Sequence, residues 1–230
     1  MSDQPWDPIA AEYAELHDGR LDTVFPHALE RLRERGAKRV LDYGGGPGIF
    51  IERWLDAGGA AAAYYDVSGE MRALAARRFA ARGQTVKQVE DTRAWADGTF
   101  DAVTFHAVWM CLPTREACRT TLTEIARLLK PAGCLLVSVT HPCFRDREFS
   151  TFRPMLHPDD YLNEGAKFSV VMQDRGRSVT FEDYHWSLGE SVRQLVEAGF
   201  RIERMHEYAD TPATLSPQRY PWLMFEAVKA

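Results

Sequence analysis

A group of glycines between an apolar segment and a helical pattern is the part of this sequence best suited to chemistry. Residues 40–43 (VLDY) are followed by four glycines within five positions, from Gly44 to Gly48. Glycine allows a positive φ and a close approach of the backbone to a bound group, and Pro47 suits the first turn of a helix. A strand, a tight turn and the first turn of a helix, in this order, predict a binding site for a nucleotide-like ligand.

The glycine spacing excludes two common phosphate-binding loops. No Gly-Lys-Ser or Gly-Lys-Thr ending follows, so the lysine of a P-loop is missing. A dinucleotide-binding loop needs a third glycine at position 49, where this chain has Ile49. The pattern that remains is an acid at the end of a strand, Asp42, followed by Gly44-x-Gly46-x-Gly48.

A second carboxylate follows the next predicted strand. Residues 60–65 form a β-type segment that ends at Asp66, 22 residues beyond Gly44. This is close to the spacing at which a nucleotide-binding βαβ unit places the acid that binds the ribose. Ser68 is a typical N-cap for the next helix, in which Met71 belongs to the apolar stripe.

The remaining segments alternate between helical and β-type patterns. Helices are expected at 6–17 and 22–36 ahead of the glycine loop, the second capped by Asp22-Thr23. Strands are expected at 84–90 and 134–139, the latter an apolar run of the kind that is buried on both faces.

Several motifs resemble those of the class I S-adenosylmethionine-dependent methyltransferases, in particular the small-molecule, type 11- or 25-like enzymes. Residues 42–48 resemble the cofactor loop, and 66–71 resemble the D-x-S-x-x-M after strand two. Residues 98–105 resemble the G-x-F-D-x-V of strand four, 128–133 the L-K-P-G-G turn before strand five, and 195–200 the helix end before strand six. The resemblance covers about 190 of the 230 residues.

This resemblance implies an α/β fold with a Rossmann-like, doubly wound sheet. Seven strands are expected, mostly parallel, with strand six at 201–206 and an antiparallel last strand at 222–228. We expect a single domain over 1–230, with an N-terminal helical cap at 1–36 and a β-hairpin insertion after strand five, at 141–186.

The insertion departs from the family pattern. Two β-type segments, 167–172 and 178–181, flank a turn and predict the hairpin. Its 46 residues include eight aromatic ones: Phe144, Phe149, Phe152, Tyr161, Phe168, Phe181, Tyr184 and Trp186. At the ligand-facing edge of the sheet, this insertion is expected to cover the substrate, with a passive β extension or a dimer contact as the alternatives.

The cofactor implied by the resemblance is S-adenosyl-L-methionine. Gly44 to Gly46 would approach its amino acid part and Asp66 its ribose. Met71, with Asp91 or Thr92, would contact its adenine. Arg20 would bind its carboxylate from the N-terminal segment. The full expected set is Tyr13, Arg20, Gly44, Gly45, Gly46, Asp66, Met71, Asp91, Thr92 and His106.

Several of these residues have plainer alternative roles. Met71 would also serve as a core residue, and Asp91 as the cap of a turn. Arg20 would equally suit a solvated surface position. Asp42 either contacts the ligand or orders the loop from below.

Methyl transfer from a sulfonium is an in-line displacement, so alignment supplies most of the acceleration. A base is needed only where the acceptor carries a proton. His106, His141 and His185 are candidates, because neutral imidazole accepts a proton near neutral pH. His141 and His185 bracket the insertion and are expected to be the catalytic pair, with a structural role as the alternative for each.

The composition of the chain argues against some kinds of binding partner. The net charge is −5 without a block of basic residues, which argues against nucleic acid, and no apolar run approaches the roughly 20 residues of a membrane helix. His106 and His141 stand where related enzymes place magnesium ligands or an amino-methylation motif, so no metal is expected. The four cysteines form no C-x-x-C pair, so reduced thiols and a cytoplasmic location are expected. The chain is expected to be a monomer or a homodimer.

Together these features predict transfer of a methyl group to an oxygen or nitrogen atom of a small, ring-bearing metabolite. The first alternative is a protein that binds the cofactor without catalysis, as a partner or regulator. The second is a nicotinamide-dependent reductase, against which Ile49 argues.

Overall fold

The computed structural model describes residues 5–17, 21–174, 176–210 and 220–230. Its strands are β1 Arg39–Tyr43, β2 Ala61–Tyr65, β3 Lys87–Val89, β4 Phe100–His106, β5 Leu129–Thr140, β6 Phe152–Pro154, β7 Lys167–Asp174, β8 Arg177–Tyr184, β9 Phe200–Tyr208 and β10 Trp222–Lys229. Its α-helices are α1 Ala10–His17, α2 Phe25–Glu34, α3 Ile49–Asp56, α4 Gly69–Ala81, α5 Arg115–Leu128 and α6 Leu188–Glu197.

Seven of these strands form one sheet in the order β3-β2-β1-β4-β5-β10-β9. Strands β3, β2, β1, β4 and β5 pair in parallel, whereas β10 is antiparallel to both of its neighbours. The predicted doubly wound sheet with an antiparallel last strand is therefore confirmed. Because β1 lies between β2 and β4, the strand order reverses there, which is where such sheets bind ligands.

The centre of the sheet is buried on both faces. The successive residues Val103, Thr104 and Phe105 of β4 point to alternate faces of the sheet, and all three are fully buried. Helix α4 begins at its predicted cap, since the Ser68 hydroxyl accepts a hydrogen bond from the Met71 amide at 3.1 Å. These contacts hold the loops after β1, β2 and β4 on a rigid base.

The insertion forms a small sheet of its own, in the order β6-β7-β8. The predicted hairpin is present as β7 and β8, while β6 was not expected because it is only three residues long and ends in proline. Buried Arg145 joins this sheet to the end of β5. Its guanidinium donates to the Thr140 hydroxyl and carbonyl at 3.1 and 3.0 Å and to His185 Nδ1 at 3.0 Å.

Helix α2 differs from its prediction at the start. It begins at Phe25 with Val24 at the N-cap position and no side-chain cap, so Asp22-Thr23 does not cap it. Asp22 instead pairs with Arg53 of α3 at 2.5 Å. No described helix is both long enough and apolar enough to cross a lipid bilayer.

A buried carboxylate fixes α2 to the sheet. Glu226 of β10 is fully buried and accepts hydrogen bonds from Arg31 Nε and Nη2, both at 2.9 Å, and from Arg35 Nε at 2.7 Å. Burial alone would raise the pKa of Glu226, but the hydrogen bonds from the two arginines outweigh it and lower the pKa to about 2.

Replacing Glu226 by Gln is expected to lower the free energy of unfolding at pH 7 by about 3 kcal/mol, because two partly buried guanidinium groups lose the buried carboxylate that they share. The folded pKa lies below the unfolded value of about 4.3, so this stabilisation is present at neutral pH and is lost as the pH falls toward 2. Urea unfolding at several pH values measures it, and the variant should show a shallower acid decline. Glu203→Gln, which removes a partly exposed partner of Arg35, should cost less than about 1 kcal/mol. Equal losses in the two variants would contradict this account.

Candidate functional site

A cavity of about 660 Å³ lies at the point where the strand order reverses. One wall is built by residues that follow parallel strands: the glycine loop after β1, Asp66 after β2, and His106 at the end of β4. The opposite wall comes from the N-terminal segment and from β8. This volume is within the range of about 300–1,000 Å³ that is usual for small-molecule sites.

Three glycines of the loop differ in the space that a side chain would have. A Cβ on Gly44, which has φ +73°, would lie 2.6 Å from Val108 Cγ2. A Cβ on Gly45 would lie 2.6 Å from Asp42 Oδ2 and 2.7 Å from the Tyr64 ring. A Cβ on Gly46, which has φ +52°, would meet no described atom within 4 Å. The first two glycines are therefore required by the fold, while the third leaves open space at the cavity wall.

Asp42 supports the loop from below. Its Oδ1 accepts a hydrogen bond from the Thr104 hydroxyl at 2.8 Å, and its other oxygen lies beneath Gly45. Burial raises the pKa of this carboxyl to about 7. Asp42 also lines the cavity, so ordering of the loop and contact with a ligand are both compatible with its position.

Asp66 joins the loop to the start of α4. Its Oδ2 accepts from the Gly46 amide at 2.8 Å, and its Oδ1 accepts from the Ser68 amide at 2.9 Å. Burial raises the pKa of Asp66. Each carboxylate oxygen has a second lone pair, so the group can still accept hydrogen bonds from a ligand hydroxyl. Met71, in the first turn of α4, lies in the same wall and is buried.

Asp91 and Thr92 are not placed at the cavity. Of the described residues, neither is part of the cavity wall. Asp91 caps a short 3₁₀ helix by accepting from the Arg93 amide at 2.9 Å, and hydrogen bonds from the Arg93 side chain lower its pKa to about 2. The carbonyl of buried Thr92 accepts from Arg127 at 3.2 Å. The expected adenine contact from these two residues is not supported by this geometry, and the turn-capping alternative describes Asp91.

His106 is the histidine that the cavity wall includes within the described ranges. Its ring lies 5.3 Å from that of Phe25 and 4.8 Å from that of Phe50, centroid to centroid. Nδ1 is 2.7 Å from the Ser138 hydroxyl, and buried Nε2 has no hydrogen-bond partner in the described part of the chain. Burial lowers the pKa of His106 to about 3, so the imidazole is neutral at physiological pH.

The predicted catalytic pair is not brought to this cavity. His141 Nδ1 accepts from the Cys143 amide at 3.2 Å, and its Nε2 is 2.7 Å from Glu207 Oε1. His185 Nδ1 accepts from Arg145, and its Nε2 is 2.8 Å from the Tyr161 carbonyl. Since all four ring nitrogens already have partners, and neither residue is in the described wall, the geometry favours the structural alternative for both.

The opposite wall is aromatic. Tyr13, as expected, lies at the cavity, together with Trp6, Phe181 and Tyr184. Arg20 lies outside the described residues. Six of the eight aromatic side chains of the insertion are not part of the described wall: Phe144, Phe149, Phe152, Tyr161, Phe168 and Trp186.

Sequence reasoning missed several other aromatic wall residues. These are Trp6, Phe25, Tyr43, Phe50 and Tyr65. Tyr43 and Tyr65 are the last residues of β1 and β2, so their positions at strand ends were a usable signal. No group of three or more His, Cys, Asp or Glu side chains suited to a metal ion occurs among the described residues.

Comparisons with known proteins find methyltransferases. Residues 41–137 match the model of the methyltransferase domain. The chain is similar to the N-demethylindolmycin N-methyltransferase of Streptomyces griseus, with 26% identity over 192 residues, which are 83% of this chain and 81% of the relative.

Solved structures share the fold at low identity. An S-adenosylmethionine-dependent methyltransferase from Clostridium acetobutylicum has a TM-score of 0.69 at 12% identity, covering 98% of this chain and 99% of that one. An amino pentose methyltransferase from Micromonospora echinaspora, solved with its cofactor bound, has a TM-score of 0.66 at 18% identity over the full length of both chains.

Alanine at Gly45 is expected to lower the free energy of unfolding by about 3 kcal/mol, because its Cβ would overlap Asp42 and the Tyr64 ring. Alanine at Gly46 should cost only about 1–2 kcal/mol, the usual strain of a left-handed backbone. Gly58→Ala is the matched control, since Gly58 also has a positive φ and open space around its Cβ but does not line the cavity. Urea unfolding of the three variants is the measurement, and equal losses would show that the loop is not packed as described.

Proposed function

We propose that this chain, which is a class I S-adenosylmethionine-dependent methyltransferase, transfers a methyl group to an oxygen or nitrogen atom of a small, ring-bearing metabolite. The observation that supports this class of acceptor is the set of residues that line the cavity. A nucleotide-type binding loop and a group of aromatic side chains line one cavity of about 660 Å³. Such a space suits a cofactor together with a small, flat acceptor.

The residues present fit the cofactor. Open space beside Gly46 leaves room for a group close to the backbone, and the free lone pairs of Asp66 suit the two ribose hydroxyls. Gly44 to Gly46 would hold the amino acid part, and Met71 would contact the adenine. When bound, S-adenosyl-L-methionine supplies a methyl group on a positively charged sulfur.

The similar Streptomyces griseus protein supports a small acceptor, because its name describes methylation of nitrogen in a small molecule. The aromatic wall supports a ring-bearing one. Trp6, Phe181 and Tyr184 offer large, rigid faces, which bind flat molecules at a small cost in side-chain entropy. A nucleic acid acceptor is disfavoured by the net charge of −5.

We assign the whole chain to one domain with two additions that complete the site. The N-terminal cap at 1–36 supplies Trp6 and Tyr13, and the insertion at 141–186 supplies the wall on β8. Both additions are held by arginines, the first by partly buried Arg31 and the second by buried Arg145. We expect them to align the acceptor and exclude water, which are the main contributions an enzyme can make to an in-line displacement.

The decisive experiment is an assay of methyl transfer. Purified protein is incubated with S-adenosylmethionine and a panel of ring-bearing metabolites, and formation of S-adenosylhomocysteine is followed. Methylated products located by mass spectrometry would support the proposal. Transfer only to protein or nucleic acid would contradict the proposed acceptor class.

Asp66→Asn is expected to weaken S-adenosylhomocysteine binding by about 1.5–3 kcal/mol, roughly 10- to 150-fold, through loss of charged hydrogen bonds to the ribose. Asp91→Ala is the control and should leave the affinity within about twofold, since Asp91 is directed at Arg93. Calorimetric titration measures both. An equal effect of the two substitutions would remove Asp66 from the proposed ribose site.

Gly46→Ala is expected to weaken the same ligand by about tenfold or more, because the new methyl group would occupy space at the cavity wall. Gly58→Ala carries similar backbone strain away from the cavity and should bind normally. If both variants bind S-adenosylhomocysteine as the unmodified protein does, the loop is not the cofactor seat.

A further inference from the structure

Three tyrosine side chains of the cavity wall have hydroxyl groups that no other part of the described chain uses. Tyr43, Tyr65 and Tyr184 line the cavity, and none of their hydroxyls has a hydrogen-bond partner within the described ranges. All three side chains are half-buried, and their oxygen atoms remain accessible. We call these three groups the hydroxyl set.

Tyrosines away from the cavity wall show the contrast. The Tyr64 hydroxyl donates to the Gly46 carbonyl, and the Tyr208 hydroxyl donates to Met224 Sδ at 3.8 Å. Polar groups inside a folded chain are normally paired in this way. Hydroxyls that are left unpaired at a cavity are therefore available to a bound molecule, to which a phenol group can donate one hydrogen bond and from which it can also accept.

Two members of the hydroxyl set form a pair at the ends of β1 and β2. Tyr43 and Tyr65 are opposite each other in the strand register, and their ring centroids are 4.9 Å apart at an interplanar angle of 57°. Because successive side chains of a strand point to opposite faces, this pair lies on the other face from Asp42 and Tyr64, which hold the glycine loop. Burial raises the pKa of both tyrosines, so both hydroxyls are protonated at neutral pH.

The charged groups of the wall, in contrast, already have partners. Asp42 accepts from the Thr104 hydroxyl, and Asp66 accepts from two backbone amides. Glu182 is 3.4 Å from the Lys167 ammonium of the neighbouring strand. No lysine or arginine lines the cavity in the part of the chain that the structure describes.

We infer, resting on the proposed function, that the methyl acceptor is electrically neutral and that the hydroxyl set binds a ring nitrogen or a carbonyl oxygen on it. Small-molecule sites are mostly apolar and fix their ligand through a few polar groups. In this wall the aromatic rings supply the apolar surface, and the free phenol hydroxyls supply the polar groups.

A charged acceptor fits the described wall less well. An anionic group would lose its hydration without meeting a cation, which is costly in a partly enclosed site. An ammonium group would be placed beside the positively charged sulfur of the cofactor, and it has no lone pair with which to accept a methyl group. A neutral ring atom avoids both problems and is matched by a hydroxyl donor.

The adenine of the cofactor is also a flat, neutral ring with nitrogen acceptors. The hydroxyl set is assigned to the acceptor because Tyr43 and Tyr65 lie on the face away from Asp42, and because Tyr184 belongs to the insertion rather than to the glycine loop or its neighbours. Binding of S-adenosylhomocysteine, which carries the adenine but no acceptor, separates the two sources.

The first test uses probes of matched size on one and two rings. The neutral members are pyridine, 2-pyridone, quinoline and 2-quinolone, the anionic ones are benzoate and 2-naphthoate, and the cationic ones are benzylamine and 2-naphthylmethylamine. Binding to the S-adenosylhomocysteine complex is measured by calorimetry at neutral pH. In each size class, a neutral probe should be the tightest ligand.

The second test removes single hydroxyls and keeps the rings. Tyr43→Phe, Tyr65→Phe and Tyr184→Phe should each weaken the tightest neutral probe by about two- to tenfold, the usual contribution of a hydrogen bond between neutral groups. Affinity for S-adenosylhomocysteine should stay within about twofold. Because these hydroxyls have no partner in the described chain, the melting temperature should stay within about 1 °C.

Tyr208→Phe is the matched control, since its hydroxyl is bound to Met224 and the residue does not line the cavity. It should leave the affinity for every probe within about twofold. If Tyr208→Phe weakened the neutral probes as much as the three cavity substitutions do, the losses would come from a general disturbance of the fold, and the inference would be overturned.

Tighter binding of an anionic or a cationic probe than of its neutral counterparts would also overturn the inference, as would unchanged affinity in all three cavity variants. Equal losses for S-adenosylhomocysteine and for the neutral probe would assign the hydroxyls to the adenine instead. Failure of the unmodified protein to bind S-adenosylhomocysteine would overturn the proposed function itself, and this inference with it.

Discussion

The site depends on how closely Asp42 and Tyr64 approach the backbone at Gly45. Asp42, the last residue but one of β1, binds Thr104 of β4, so it joins the two strands between which the sheet order reverses. Tyr64 approaches from β2, and its hydroxyl donates to the Gly46 carbonyl. With no space left for a side chain at Gly45, the loop is held against three strands at once. The amides of Gly44 and Gly45 then share the Tyr65 carbonyl, which fixes the direction of the next residue, Gly46.

Much of this arrangement could be predicted from the sequence because its causes are local. The strands, the glycine loop, the Ser68 cap and the β7–β8 hairpin each follow from a pattern of neighbouring residues. Asp66 follows from a spacing within one βαβ unit. These features need no knowledge of distant contacts, and the structure has them where they were expected.

Two of the predictions that the geometry does not support, His141 and His185, concern side chains held by residues distant in the sequence. His141 follows β5 and was expected at the ligand, but its imidazole is taken up by the Cys143 amide and by Glu207 of β9. His185 follows the hairpin, yet it is held by Arg145 and the Tyr161 carbonyl. A position at a strand end indicates which edge of the sheet a residue lies on, whereas its hydrogen-bond partners decide where the side chain points.

The two halves of the cavity have different origins in the chain. Residues 41–137, the segment that matches the model of the methyltransferase domain, contain the glycine loop, Asp66 and His106. Trp6 and Tyr13 precede that segment, and Phe181 and Glu182 follow it. The matched segment ends before the cavity wall is complete, so the loops after β1 and β2 can stay the same while the outer segments change. Partly buried Arg31 and buried Arg145 fix those outer segments to the sheet, so this part of the cavity wall can change in sequence and still be held rigidly.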